Sequence, residues 1–107
     1  MKLQAYSFEK IREGQKIIEV RLFDEKRREM GLGDTIEFRK EPEQVEVVQK
    51  TVIGLFRYPT FRDLVADFPA QAFGFETHES LIEAIYSFYS REQEQQYGVL
   101  GIRLKNP

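Results

Sequence analysis

The chain contains no cysteine, no tryptophan and a single histidine, His78. Without thiols there is no disulfide, no zinc–thiolate site and no sulfur nucleophile. One histidine cannot build a multi-histidine metal centre, and the acidic residues show no calcium-loop spacing. No metal or cofactor is therefore expected. No apolar run approaches membrane-spanning length, and the opening M-K-L-Q-A-Y-S-F lacks the apolar segment of a signal peptide. A reducing cytoplasm fits these absences. An excess of positive charge is also missing. Sixteen Lys and Arg against eighteen Asp and Glu leave a net charge of −2, so any electrostatic grip on nucleic acid must come from a local basic patch.

What is present is globular. At 107 residues, 41% of them hydrophobic, the chain is expected to form one domain over residues 1–107 with a core that is stable without covalent staples. Nine Phe and five Tyr supply the bulk that tryptophan does not. Ser7 reads as the cap of a short first helix, which Gly14 ends. Asp34 to Arg39 alternates as a strand. Gln44 to Arg57 is a long strand-like run with apolar residues in both parities, which predicts a bent strand with Gly54 at the bend. Thr60 and Asp63 stand at capping-box spacing for a second helix that Pro69 ends. Ala70 to Glu76 reads as loop. Thr77 caps a third helix with an apolar stripe of Leu81, Ile82, Ile85, Phe88 and Tyr89. Ser90 to Gln96 reads as an extension of that helix or a solvated loop. Gly98 to Lys105 is a last strand with Leu100, Ile102 and Leu104 on one face. The sum is an α+β pattern, a small and mostly antiparallel barrel with about three short helices packed on it.

Gly14 to Leu22, G-Q-K-I-I-E-V-R-L, is strand-like yet carries Lys16, Glu19 and Arg21. Alternation puts Ile18, Val20 and Leu22 on the core face and Ile17, Glu19 and Arg21 on the other. Lys16 would then lie at the strand mouth, where its stem can curl either way. Glu19 and Arg21 pair with each other or jointly grip a ligand; from spacing alone, a surface ion pair is the commoner case. In the last strand, Gly101 is expected to face away from the core and to admit a ligand or another backbone.

The string Phe8-x-x-Ile11-x-x-Gly14-x-Lys16-x-x-Glu19-x-Arg21-Leu22, followed by Gly33-Asp34-x-Ile36-x-Phe38, resembles the ASCH domain, a relative of the PUA domain. Tyr58-Pro59-Thr60-Phe61 and Tyr97-Gly98-Val99-Leu100-Gly101-Ile102 are similar to the bacterial stand-alone members. The resemblance covers nearly the whole chain. It implies a PUA-like barrel and a cleft lined by the Lys/Glu/Arg signature that binds RNA or a nucleotide. Lys16 and Arg21 would then meet phosphate or a base edge, with Arg21 suited to bidentate recognition. Glu19 would orient Arg21 or accept a hydrogen bond from a base amino group, and Tyr86 or Tyr58 would stack on a base. A related branch hydrolyses N4-acetylcytidine with a Lys, a Thr three residues later and a Glu before the last helix. Lys16 matches the Lys, but Glu19 stands in place of the Thr. An enzyme of this kind, a small hydrolase acting on a modified nucleoside or on RNA, would use Lys16 and Glu19 as catalytic residues. Glu19 would act as a general base if burial raised its pKa, with Glu76 or Glu79 as a second acid.

Three further features have blander readings. His78 reads as a solvated first-turn residue and Lys26-Arg27-Arg28 as a solvated turn, although the triplet would also suit a phosphate-contacting rim. Phe73 and Phe75 are expected to tuck under the barrel; exposed, they would mark a protein-interaction surface.

Overall fold

The computed structural model describes all residues, 1–107. Five strands form one curled sheet: β1 (Lys2–Leu3), β2 (Ile18–Leu22), β3 (Thr35–Lys40), β4 (Val47–Tyr58) and β5 (Val99–Lys105). Their order across the sheet is β1-β3-β4-β5-β2, antiparallel throughout except for the parallel β1–β3 pair. Five α-helices accompany them: α1 (Ala5–Arg12), α2 (Glu25–Arg28), α3 (Phe61–Ala66), α4 (His78–Phe88) and α5 (Arg91–Tyr97), with a 3₁₀ turn at Ala70–Ala72. The expected α+β half-barrel is present. Three of the helices have seven residues or more, and α2 and α3 are shorter, at four and six.

Gly54 is where the long strand bends. Val52 pairs with Leu104, but Gly54 pairs with Arg103, so Ile53 is an extra residue bulged out to solvent. A one-residue insertion flips every later side chain. Val48 and Val52 therefore face the concave side before the bulge. After it, Leu55 stays on that side while Phe56 and Tyr58 pack on the opposite one. This is why the run is apolar in both parities.

The sheet is buried on both faces. Its concave face holds Ile36, Phe38, Val52, Leu100, Ile102 and Leu104, plugged by Phe8 and Ile11 of α1. Its convex face packs Ile18, Leu22 and Val99 against Phe61, Leu64 and Val65 of α3 and Leu81 and Ile85 of α4. The expectation of one core face and one open face is therefore corrected. Glu19 lies opposite Ile102, and Arg21 opposite Leu100, so both charged residues share the concave face with a hydrophobic core. Gly101 is likewise covered, by Leu64 rather than by a ligand.

Several local readings also shift. Ser7 lies inside α1, whose N-cap is Gln4, because β1 runs almost directly into the helix. Tyr89 is extended (φ −121°, ψ 139°) and separates α4 from an independent α5. That second helix starts with a reciprocal capping box between Ser90 and Gln93. Thr60 and Thr77 cap as expected, each accepting from the backbone N–H three residues on. Phe73 is buried, as expected, while Phe75 is only partly covered.

A Cβ at Gly101 would approach Leu64 Cδ1 to 2.9 Å, and Leu64 is itself fully buried. Overpacking of this kind costs about 1–3 kcal/mol. Gly101→Val should therefore lower the unfolding free energy measured by urea titration by that amount, with an unchanged value showing that α3 does not press on β5.

Candidate ligand-binding cleft

The two edge strands of the sheet, β1 and β2, are not joined by a backbone ladder. A side chain spans the gap: Arg21 Nη2 donates to the Lys2 carbonyl at 2.8 Å. The same nitrogen and Nε donate to Glu19 Oε2 at 2.9 and 3.1 Å. Glu19 Oε1 receives Lys16 Nζ at 2.8 Å and the Val20 N–H at 3.1 Å. Lys16 Nζ also donates to Ser7 Oγ on α1, at 3.3 Å. One carboxylate thus ties together the segment before β2, β2 itself and, through its two cations, β1 and α1. Lys16 and Glu19 are almost fully buried, with side-chain exposures of 7% and 4%, while Arg21 retains 18%.

Lys16 reaches this position because Gly74 gives way. Gly74 has φ +86°, and a Cβ there would stand 3.2 Å from the Lys16 Cβ and 3.3 Å from that of Lys10. Lys16 and Phe73 form an isolated antiparallel bridge just ahead of β2. Lys16 is therefore held inside and does not curl at an open strand mouth.

Burial pushes the Glu19 carboxyl up, but the Lys16 and Arg21 charges and their hydrogen bonds outweigh it and hold its pKa at about 2. Burial draws the Arg21 guanidinium down, and Glu19 and then Tyr89 more than offset this, so its pKa lies above the usual value. Glu19 and Arg21 are both ionised at neutral pH. The four Glu19 contacts occupy the acceptor sites of a carboxylate, leaving none for a base amino group. A carboxyl held at about 2 is also a poor proton acceptor, and it lacks the raised pKa on which the general-base role of Glu19 depends.

Lys16, Glu19 and Arg21 line a cleft of about 620 Å³ between the barrel mouth and α4. Tyr6, Phe75, Phe88 and Tyr89 form its aromatic wall. Tyr6 and Phe75 pack with ring centroids 5.4 Å apart, and Phe88 is 60% exposed. Lys2, Lys16 and Arg21 against Glu19 and Glu41 leave the lining with one net positive charge. The Arg21 guanidinium, beyond its bonds to Glu19 and the Lys2 carbonyl, faces the Tyr89 hydroxyl, and Lys16 uses only two of its three N–H groups.

The other candidates lie elsewhere. Tyr86 is outside the cleft: its hydroxyl donates to the buried Glu94 at 2.5 Å, and burial together with this bond pushes its pKa up to about 12. Tyr58 donates to Asp67. Glu76 does not line the cleft, and Glu79 lines a separate groove on α4. His78 Nε2 lies 3.0 and 2.8 Å from the Val65 and Phe68 carbonyls, which places its proton on Nε2 and makes it a tie between α4 and α3. Tyr89, Phe88 and Ser7 were not singled out for the cleft. The signal for Tyr89 was Ser90-x-x-Gln93, a capping box that starts a new helix and leaves the preceding residue at a break.

The model of the ASCH domain matches residues 1–107. The chain belongs to the ASCH domain family. Hypothetical protein PH0355, known from a crystal structure, is similar at 31% identity and a TM-score of 0.82, with 98% of this chain and 94% of that one covered. PF0455 of Pyrococcus furiosus, solved by NMR, is similar at 31% identity and a TM-score of 0.72, covering 98% and 93%. No curated protein matches. The half-barrel of this ASCH protein is thus the PUA-like one expected. Both neighbours are archaeal, so the match is to the ASCH domain family as a whole and not to its bacterial stand-alone members in particular.

The depressed Glu19 pKa fixes a pH window. Its contribution to stability is complete above the unfolded value near 4.5 and is lost as the pH falls toward 2. The span corresponds to roughly 3 kcal/mol. Glu19→Gln should abolish that acid-limb dependence and, by stranding buried Lys16, destabilise the ASCH domain at neutral pH by about 3–5 kcal/mol. Urea unfolding from pH 7 to 2 measures both; parallel wild-type and variant curves would contradict the pairing.

Proposed function

We propose that this ASCH domain, acting as a single unit over residues 1–107, binds RNA or a nucleotide in the Lys16–Glu19–Arg21 cleft. The observation that carries the reading is the partly exposed Arg21 guanidinium beside an aromatic wall, in a cleft with one surplus positive charge. A nucleotide offers the matching chemistry. Its base has a flat π-face for Tyr6, Phe75, Phe88 or Tyr89, and its phosphate or base edge accepts hydrogen bonds from the Arg21 guanidinium, in place of the Tyr89 hydroxyl, and from the remaining Lys16 N–H. Glu19 serves as a positioning residue that fixes the guanidinium plane before the ligand arrives. The cleft's small net charge favours one nucleotide unit in this pocket over a stack of phosphates.

Hydrolysis is the weaker reading. Glu19 stands where a hydroxyl would be needed, its carboxylate is held ionised by two cations, and Glu76 and Glu79 are outside the cleft. A cytoplasmic setting belongs to the same proposal, since RNA and nucleotides are available there. No helix is long and apolar enough to cross a membrane.

Fluorescence anisotropy with labelled single-stranded RNAs and with nucleoside monophosphates as competitors tests the proposal. Affinity should fall as salt rises from about 50 to 200 mM. Arg21→Gln should weaken binding about tenfold or more, the scale of one charge-assisted hydrogen bond. Undetectable or salt-insensitive binding across RNAs of varied sequence would remove the proposal.

A further inference from the structure

A second concavity, of about 750 Å³, lies on the outer side of α4 and the start of α5. Tyr89 lines both it and the cleft, so the two concavities adjoin at this one residue. Tyr89 forms the ridge because the chain is extended there, between two helices, and its ring stacks on buried Phe61 with centroids 5.2 Å apart. The far side of the ridge carries Arg62 and Arg91. Their guanidinium carbons lie 5.7 and 5.1 Å from the centre of the Tyr86 ring. Tyr86 is itself held by the hydroxyl bond to Glu94, whose carboxylate also accepts the Phe61 N–H at 2.8 Å. The aromatic platform between the two arginines is thus anchored from below.

These arginines belong to the surface cations that no carboxylate holds; Arg28 and Arg57, on the Phe23 ring, are two others, but neither lines the cleft or this groove. Arg12, Arg39 and Lys40 are each paired with a carboxylate. Arg62 and Arg91 make neither an ion pair nor a side-chain hydrogen bond within the chain, although Glu79 and Glu83 line the α4 wall of the same groove. Two guanidinium groups kept on an aromatic ring, with every donor unspent, suit phosphate oxygens. The two glutamates confine such a ligand to the α3–α5 side of the groove. On the cleft side of the ridge, Arg21 and Arg27 both act on the Tyr89 hydroxyl, and Arg27 Nε is buried without an acceptor.

Resting on the nucleotide-binding reading of the cleft, we infer that the ligand is a single-stranded polynucleotide, which crosses Tyr89 from the cleft and places the phosphates of flanking nucleotides on Arg62 and Arg91. The cleft takes one nucleotide, Tyr89 supports the turn of the strand, and the Arg62–Tyr86–Arg91 surface is a second, sequence-independent subsite. A free mononucleotide fills only the first.

The test compares hexameric homopolymer RNAs with the corresponding nucleoside 5′-monophosphates on the wild-type chain and on the Arg62→Gln/Arg91→Gln double variant. Both positions are exposed, and circular dichroism checks that the variant is folded. The hexamer should bind the wild type more tightly than the monophosphate. The double variant should lose about tenfold in hexamer affinity, and its salt slope should fall by about 1.4, at roughly 0.7 per phosphate contact. Its monophosphate affinity should be unchanged. Hexamer binding that depends on Arg21 but not on Arg62 and Arg91 overturns this inference and leaves the cleft proposal standing. Absence of binding by either ligand overturns both. A hexaglutamate peptide that binds in place of RNA and is lost in the same variant also overturns the inference, in favour of an acidic protein partner.

Discussion

Glu19 is the group on which the site depends. A carboxylate on the concave face of a curled sheet, beside Ile102 and Leu100, would be driven to protonate if left alone. Two cations brought to it from the same segment keep it charged, and the three together become a rigid fixture. The fixture also does structural service. The sheet is an incomplete barrel whose edges, β1 and β2, share no ladder, and the Arg21 bond to the Lys2 carbonyl is the strap across the opening. On the proposed function, mechanical closure and ligand recognition fall on the same guanidinium. Ion pairs this deep are weak contributors to net stability and strong determinants of geometry, which is what a preorganised binding group needs.

Much of the fold was legible because its signals are local. Thr60 and Thr77 cap helices by a hydroxyl three residues from its donor, and Gly54 marks a bulge within an overlong apolar run. The strand from Gly98 onward alternates plainly. What misled the reading was a long-range fact, the burial of both sheet faces. Alternation alone assigns Glu19 and Arg21 to an outer surface. Only the register that sets Glu19 opposite Ile102 shows that this side is the barrel interior. Lys50 illustrates the same limit. It shares the inward parity of Val48 and Val52 and is buried, with Asn106 as its partner 56 residues away.

The site was legible in its charged residues and not in its walls. The G-x-K-x-x-E-x-R spacing puts three ionisable groups within one short segment, and the structure gathers all three. The aromatic wall comes from α1, the loop after the 3₁₀ turn and the end of α4, which no sequence spacing connects. Phe88 looked like core because it falls on the helical stripe with Leu81 and Ile85, yet the stripe is wider than the surface that α4 buries. Tyr86 fell on the opposite flank, where it supports two unpaired arginines. The cleft and the α4 groove are thus both built around aromatic rings attended by guanidinium groups, and they adjoin at Tyr89.

The claim underlying this account is that Glu19 stays ionised inside the barrel because Lys16 and Arg21 hold it there. A carbon-13 NMR titration of the Glu19 side-chain carboxyl in the folded protein addresses it directly. The account predicts a midpoint at about 2, well below the ordinary glutamate value of about 4.3. A midpoint at or above that ordinary value would show the carboxyl dominated by burial, with no fixed triad to position Arg21.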